Sequence, residues 1–251
     1  MIKFFSRIKR SLLSENRISK YLVYSLGEIA LVVVGILIAI QLNNWNENEK
    51  KRVEAQNFNV RLSEQVIRNI DQTLDALEST REQFNGLTAL MRMVGKPIEP
   101  LSHQEMDSLI YYAAIDYDLE LDLNTLKEAK ENGRLSLIKN ESLRIALFEY
   151  SAIVDLMEKR IDIANTDNNN FMVPYFYENI SFRTLNANLS ESYRKEIGDS
   201  KLEESNYERI LMDRQFENLL YTRLTYSEEM LSSYEELHEH LEYIKQLIYI
   251  E

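Results

Sequence analysis

The chain contains no cysteine, three prolines and six glycines among its 251 residues. Without cysteine there are no disulfides, no thiolate-ligated zinc and no cysteine nucleophile. So few backbone breakers leave little punctuation for a fold of many short strands, and long helices are expected instead. Histidine is also scarce, at three residues, which narrows the choice of metal ligands and general bases. No phosphate-cradling glycine loop and no G-x-S-x-G elbow occurs. No convergent set of nucleophile, base and oxyanion donors can be assembled. An enzyme is therefore the least expected class, and no cofactor or catalytic residue is assigned.

Basic charge is short overall but concentrated at one end. Residues 1–20 hold six basic side chains (Lys3, Arg7, Lys9, Arg10, Arg17, Lys20) against Glu15, a net +5. With −12 overall, the remaining residues carry −17. Nucleic acid is a poor partner for such a body, because phosphates need a basic face. A basic amino terminus suits an anionic membrane leaflet.

What the chain does have is one long apolar run. Tyr21 to Leu42, "YLVYSLGEIALVVVGILIAIQL", holds 22 residues, of which 13 are Leu, Ile or Val. As helix it spans about 33 Å, against a hydrocarbon core of about 30 Å. The branched aliphatics favour insertion by roughly 4–8 kcal/mol, and one acid near the centre costs about 3. Glu28 therefore does not prevent insertion. Tyr21 and Tyr24 at one end and Trp45 at the other are placed as interfacial anchors. The rival is a cleaved signal peptide, disfavoured by the length of the run and by the lack of an A-x-A-type site after it. Five Lys or Arg lie in the 15 residues before Tyr21 and three in the 15 after Leu42. That bias puts the amino terminus in the cytoplasm and residues beyond 45 outside it. Ahead of the span, Ile2, Phe5, Ile8 and Leu12 share a face opposite basic residues, as in a helix lying on the inner leaflet. Ser19 is placed to cap the membrane helix.

At 100° per residue, Glu28, Leu31, Gly35 and Ala39 fall on one stripe, continued by Leu42. Gly35 and Ala39 make a small-xxx-small pair that admits a second helix closely. Three uses of Glu28 stay open: helix–helix packing at this face, an acid that is protonated or reaches water, and ion translocation.

The stretch "LLSENRISKYLVYSLGEIALVVVGILIAIQLNNWNE" resembles the amino-terminal signature of a large bacterial family of single-pass envelope proteins with a domain of unknown function. The likeness runs from Leu12 to Glu47 through Gly27, Glu28, Gly35, Gln41, Asn43, Asn44, Trp45 and Asn46. A looser likeness covers "NTLKEAKENGRLSLIKNESLRIALFEY", residues 124–150, where Ala129 stands at a position expected to be Leu. The resemblance implies a single-pass anchor and a helical domain. It assigns no activity and no functional residue.

Beyond the span, "NENEKKRVEAQ" has no breaker, so the helix can run on. Val66, Ile70, Leu74, Leu77, Phe84, Leu87 and Met91 mark its apolar face as far as "GKPIEP" (95–100). Ser102 and Glu105 form a capping box for a second helix to about Ala114. A third runs from Thr125 to Gly133. The fourth opens at Asn140, with Leu143, Leu147, Tyr150, Val154, Met157, Ile161 and Ala164 on one seam. The last carries Phe216, Leu220, Met230, Tyr234, Leu237, Leu241, Ile244 and Ile248, interrupted by Arg223 and Ser227. Such seams want partner helices, within the chain or in another copy. Residues 165–205 are expected as an irregular connector whose aromatics pack on the bundle.

Two motifs invite a metal and are set aside. Glu235 and His238 make one E-x-x-H, but a di-iron site needs a second copy, and the residue three before His103 is Pro100. In "DYDLELDLNT" (116–125) the acid spacing is similar to a calcium loop. Leu121 and Lys127 stand where Gly and a bidentate Glu belong. An extended segment packed on one face is expected there.

These readings give an all-α protein: a cytoplasmic basic segment (1–20), a transmembrane helix (21–45) and an elongated helical bundle (46–251). The anchor, together with the bacterial envelope family that the signature resembles, implies the bacterial inner membrane, with the body in the periplasm. The expected function is a non-enzymatic accessory or assembly role. Its partners are then the lipid bilayer and other envelope proteins or a second copy. The alternative is an ion-driven coupling subunit with Glu28 as proton carrier; a sensor with a pocket near Tyr175 to Tyr177 is a third.

Overall fold

The computed structural model describes residues 18–96, 103–185, 195–198, 201–202 and 205–250. Every regular element among them is helical, so the protein is all-α. Two compact units are distinguished, residues 1–57 and 58–251. The sequence expectations for residues 1–17, for Ser102 and for "PIEP" lie outside the described residues.

Helix α1 (Ile18–Met93) runs 76 residues. It is already formed at Ile18, so Ser19 lies inside it rather than capping it. Its part in the first unit is the apolar run and the polar stretch after it, with no glycine or proline to stop the ladder beyond Gly35. It ends where Gly95 takes a left-handed φ of 74°, the conformation glycine adopts without strain. The Gly95 amide there donates to the Leu211 carbonyl at 3.0 Å.

The second unit adds α2 (His103–Ala114), α3 (Asn124–Glu131), a 3-10 turn (Arg134–Leu137), α4 (Glu141–Asp167), a π-turn (Asn168–Met172), α5 (Val173–Asn179), α6 (Phe182–Leu185), α7 (Tyr207–Leu211) and α8 (Arg214–Ile250). The Asn140 side chain accepts from the Leu143 amide at 3.3 Å and so caps α4, one of the four orphan donors of a helix start. Gly133, at φ 66°, turns the chain after α3.

Apolar burial falls into two clusters. The larger joins Phe58–Leu77 of α1, the segment around Tyr117–Ile138, Leu143–Ala164 of α4 and Met230–Ile244 of α8. The smaller joins Leu87 and Leu90, Met106–Ala113 of α2, Met172–Ile180, and Tyr207–Leu220. The seam residues of α4 and α8 named from periodicity are buried or packed against these clusters.

Two expectations are corrected. Leu74 of α1 is exposed. Val66, Ile70, Leu77 and Leu87 of the expected face are buried, and a buried seam spaced four and three alternately runs through Leu62, Val66, Asn69, Thr73, Ala76, Thr80, Gln83, Leu87 and Leu90. The stretch after residue 164 is not irregular: the helix continues through a π-turn to Asn179. The reason is that Asn165 and Asn168, read as loop formers, turn their amides inward onto the segment that follows α2. Pro174 falls directly after that π-turn, at the start of α5, where its missing N–H takes one donor from the continuing helix.

Candidate functional site

Two places carry chemistry, one in each unit. In the first unit the large apolar side chains described in the run are exposed. Leu31 is 74% and Trp45 68% accessible, and Tyr21, Tyr24, Glu28 and Ala39 are likewise exposed. A Cβ built on Gly35 meets no atom within 4 Å. The Ser25 hydroxyl donates back to the Tyr21 carbonyl at 2.8 Å, so this hydroxyl is satisfied without water or a partner. Glu28, Leu31, Gly35 and Ala39 thus share one helix face that nothing in their own unit covers.

The second place is a polar layer between the two apolar clusters. On α1 it consists of Thr80 and Gln83, on α4 and its π-turn of Asn165 and Asn168, and on α8 of Arg223 and Ser227. All except Asn165 are buried. Four of them, Gln83, Asn165, Asn168 and Arg223, grip the backbone of the segment leaving α2. Gln83 donates to the carbonyls of Tyr112 at 2.9 Å and Ile115 at 3.0 Å. Asn165 pairs with both backbone groups of Tyr117, at 2.8 Å each. Asn168 donates to the Ala114 carbonyl at 3.0 Å and to Asp116 at 2.7 Å.

Arg223 is completely buried. Its guanidinium donates to the carbonyls of Ala164, at 3.2 Å, and Ile115, and its Cζ lies 4.8 Å from the Tyr117 ring centroid. No carboxylate among the described residues pairs with it. Burial pulls the guanidinium below its ordinary value, with Tyr117, Asp116 and Asp167 pulling the other way. An arginine starts so high that it keeps its charge. Burial in turn pushes the Tyr117 phenol up, while Arg223 beside it opposes the shift. Arg223 Nε, Ser227 Oγ and Asn168 Oδ1 are buried without a protein partner.

A second set of amides holds the far end of the same segment. Asn69 pairs with both backbone groups of Asp122, at 2.7 and 2.9 Å, and also donates to the Tyr150 hydroxyl at 2.8 Å. Gln65 accepts from the Thr125 amide at 2.7 Å and so caps α3 from another helix. Residues 115–123 are in neither helix nor strand, with Tyr117 buried, Leu119, Leu121 and Leu123 half-buried, and Asp116, Asp118 and Glu120 exposed. The burial alternates as the sequence pattern predicted. What the sequence did not reveal is the set of amides holding it. The available signal was polar residues at core spacings: Asn69, Thr73, Thr80 and Gln83 on α1, and Arg223 and Ser227 on α8.

The remaining motifs disperse. Glu235 pairs with Arg81 at 3.2 Å on the surface, and His240 turns its ring to the Ala146 carbonyl at 2.8 Å. No group of three or more metal-ligating side chains occurs among the described residues. Tyr175 and Phe176 pack with Phe216, centroids 5.9 and 6.4 Å away, and the Tyr175 hydroxyl donates to Asp213 at 2.8 Å. Tyr177 is exposed against Phe182. Tyr175 and Phe176 belong to the smaller apolar cluster.

Fold and site define an all-α protein with, among the described residues, one helix long and apolar enough to cross a membrane. Residues 28–151 match the model of a family of unknown function (DUF6090). That match opens on Glu28 and takes in the span stripe, the clamped segment, α3 and the start of α4. No curated protein and no solved structure matches the chain.

Proposed function

We propose that the protein is a single-pass membrane anchor carrying a helical assembly domain. Its amino terminus lies in the cytoplasm of a bacterial cell, and residues beyond Trp45 lie outside the inner membrane. Its role is non-enzymatic: the span stripe and the body bind other envelope proteins or a second copy. The observation that carries this reading is the stripe Glu28–Leu31–Gly35–Ala39. It sets an acid and a small-xxx-small pair on a face that the chain's first unit leaves open. A small-residue face lets helix backbones approach closely, and a polar side chain on it hydrogen-bonds across. The signal-peptide alternative passes the same length and composition test, and the first experiment separates the two.

Full-length protein should stay with membranes through an alkaline carbonate wash, and protease added to intact spheroplasts should digest the carboxy-terminal body. Release by carbonate, or a protected body, would refute the anchor and its orientation. Glu28→Gln then tests the role. Packing should survive the neutral isostere, with co-purifying proteins retained. If retained partners accompany a complete loss of the cellular phenotype, Glu28 is a proton carrier and the coupling reading replaces the assembly one.

A further inference from the structure

Helix α4 carries two seams, and the core uses one of them. On the side away from it stand Ile145, Glu149, Ala152, Leu156, Lys159 and Ile163, spaced four, three, four, three, four. All six are exposed, with Ile145, Leu156 and Ile163 each about half accessible or more. Phe148 flanks them, 56% exposed, with Lys130 Nζ 5.9 Å from its ring centroid. A helix face that met only water would not carry aliphatics at this spacing.

The stripe is its own complement when reversed. About residue 154, Ile145 mirrors Ile163, Ala152 mirrors Leu156, and Glu149 mirrors Lys159. Laid antiparallel on a second copy, each layer sets one heptad core position against the other, as antiparallel coiled coils require. Glu149 then faces Lys159 of the second copy, twice by symmetry, and both ends close on isoleucine pairs. A parallel pairing in register would set Glu149 on Glu149 and Lys159 on Lys159, a like-charge clash at two layers. The buried α4 seam meanwhile sits on the far side of the helix, so pairing leaves the bundle intact.

We propose that the protein self-associates through α4, antiparallel and two-fold symmetric, using the stripe Ile145–Ile163. This rests on the assembly reading and names its partner, a second copy of this chain. Interfaces of this kind are isologous and close on themselves. Asp155 flanks the axis and meets its own copy there, so Asp155→Asn should strengthen the pair.

The chain has no cysteine, so single cysteines introduced into the full-length protein in detergent report cleanly. Ile145→Cys chains mixed with Ile163→Cys chains should form a disulfide-linked dimer on mild oxidation. Either variant alone should not, because equivalent residues would lie about 27 Å apart along the pair. Glu149→Lys and Lys159→Glu should each weaken self-association by about tenfold or more, and the two combined should restore most of it. Circular dichroism of each variant checks that the bundle is folded. Cross-linking within single variants, or none in the mixture, would overturn the pairing. A dimer lost with Gly35→Leu but indifferent to Glu149→Lys would also overturn it, leaving the span-based assembly reading in place. A monomer that still co-purifies with envelope proteins overturns this inference alone, whereas a monomer without them overturns both.

Discussion

Arg223 is a buried cation whose partners are neutral carbonyls and one aromatic face. Its removal takes one donor each from the buried carbonyls of Ile115 and Ala164, which keep the Gln83 amide and the Asn168 backbone N–H as partners. A hydrogen bond from a charged donor contributes about 1.5–3 kcal/mol. Arg223→Met, which keeps most of the volume, is expected to lower stability by about 2–4 kcal/mol, read as a fall in the denaturant midpoint. An unchanged midpoint would mean the layer is relaxed by solvent. At the opposite end of the clamped segment, Asp122 is held below the usual carboxylate range. Its hydrogen bond from Arg68, at 2.8 Å, is the main cause, and the Asn124 amide adds to it. A depressed folded value stabilises above the ordinary Asp range of about 4 and is lost as pH falls through it. Stability should therefore decline as pH falls below about 5, and Asp122→Asn should flatten part of that decline. Chemical denaturation at a series of pH values measures both.

At the scale of elements, one non-helical segment among helices explains the polar seams. Asn165 and Asn69 replace the neighbouring strand that segment 115–123 lacks, each supplying a donor and an acceptor to the backbone of one residue. Helix α2 reaches its place through a close approach: a Cβ on Gly86 would lie 2.8 Å from Cγ of the Tyr112 ring. Alanine favours a helix over glycine by about 1 kcal/mol. Overpacking costs typically 1–3. Gly86→Ala is therefore expected to be neutral to destabilising, by up to about 2 kcal/mol, while an exposed helical Gly→Ala change stabilises. Thermal melts of Gly86→Ala decide this, and a higher midpoint would show that Tyr112 moves aside freely.

For the molecule as a whole, the polar layer divides the second unit's interior in two. The larger cluster holds 23 buried apolar residues and the smaller 14. The smaller one draws on the short helices α2, α5 and α7, which have few internal hydrogen bonds of their own. Hydrogen exchange in rising denaturant should therefore release Met106–Ala113 and Tyr207–Leu211 before Leu143–Met157. Simultaneous release would mean that the layer couples the clusters instead of separating them.

The all-α class, the apolar span and the α4 and α8 seams could be read from the chain because they are periodic, and periodicity is local. The caps at Asn140 and Gly133 were legible for the same reason, since each acts on its own helix end. Leu74, Asn165 and Asn168 were misread because their surroundings come from residues far along the chain. A polar side chain at a core spacing is an error in an isolated helix and a clamp beside a stray backbone. Only the tertiary structure decided which, by laying residues 115–123 between α1, α4 and α8, where unpaired peptide groups must find donors and acceptors.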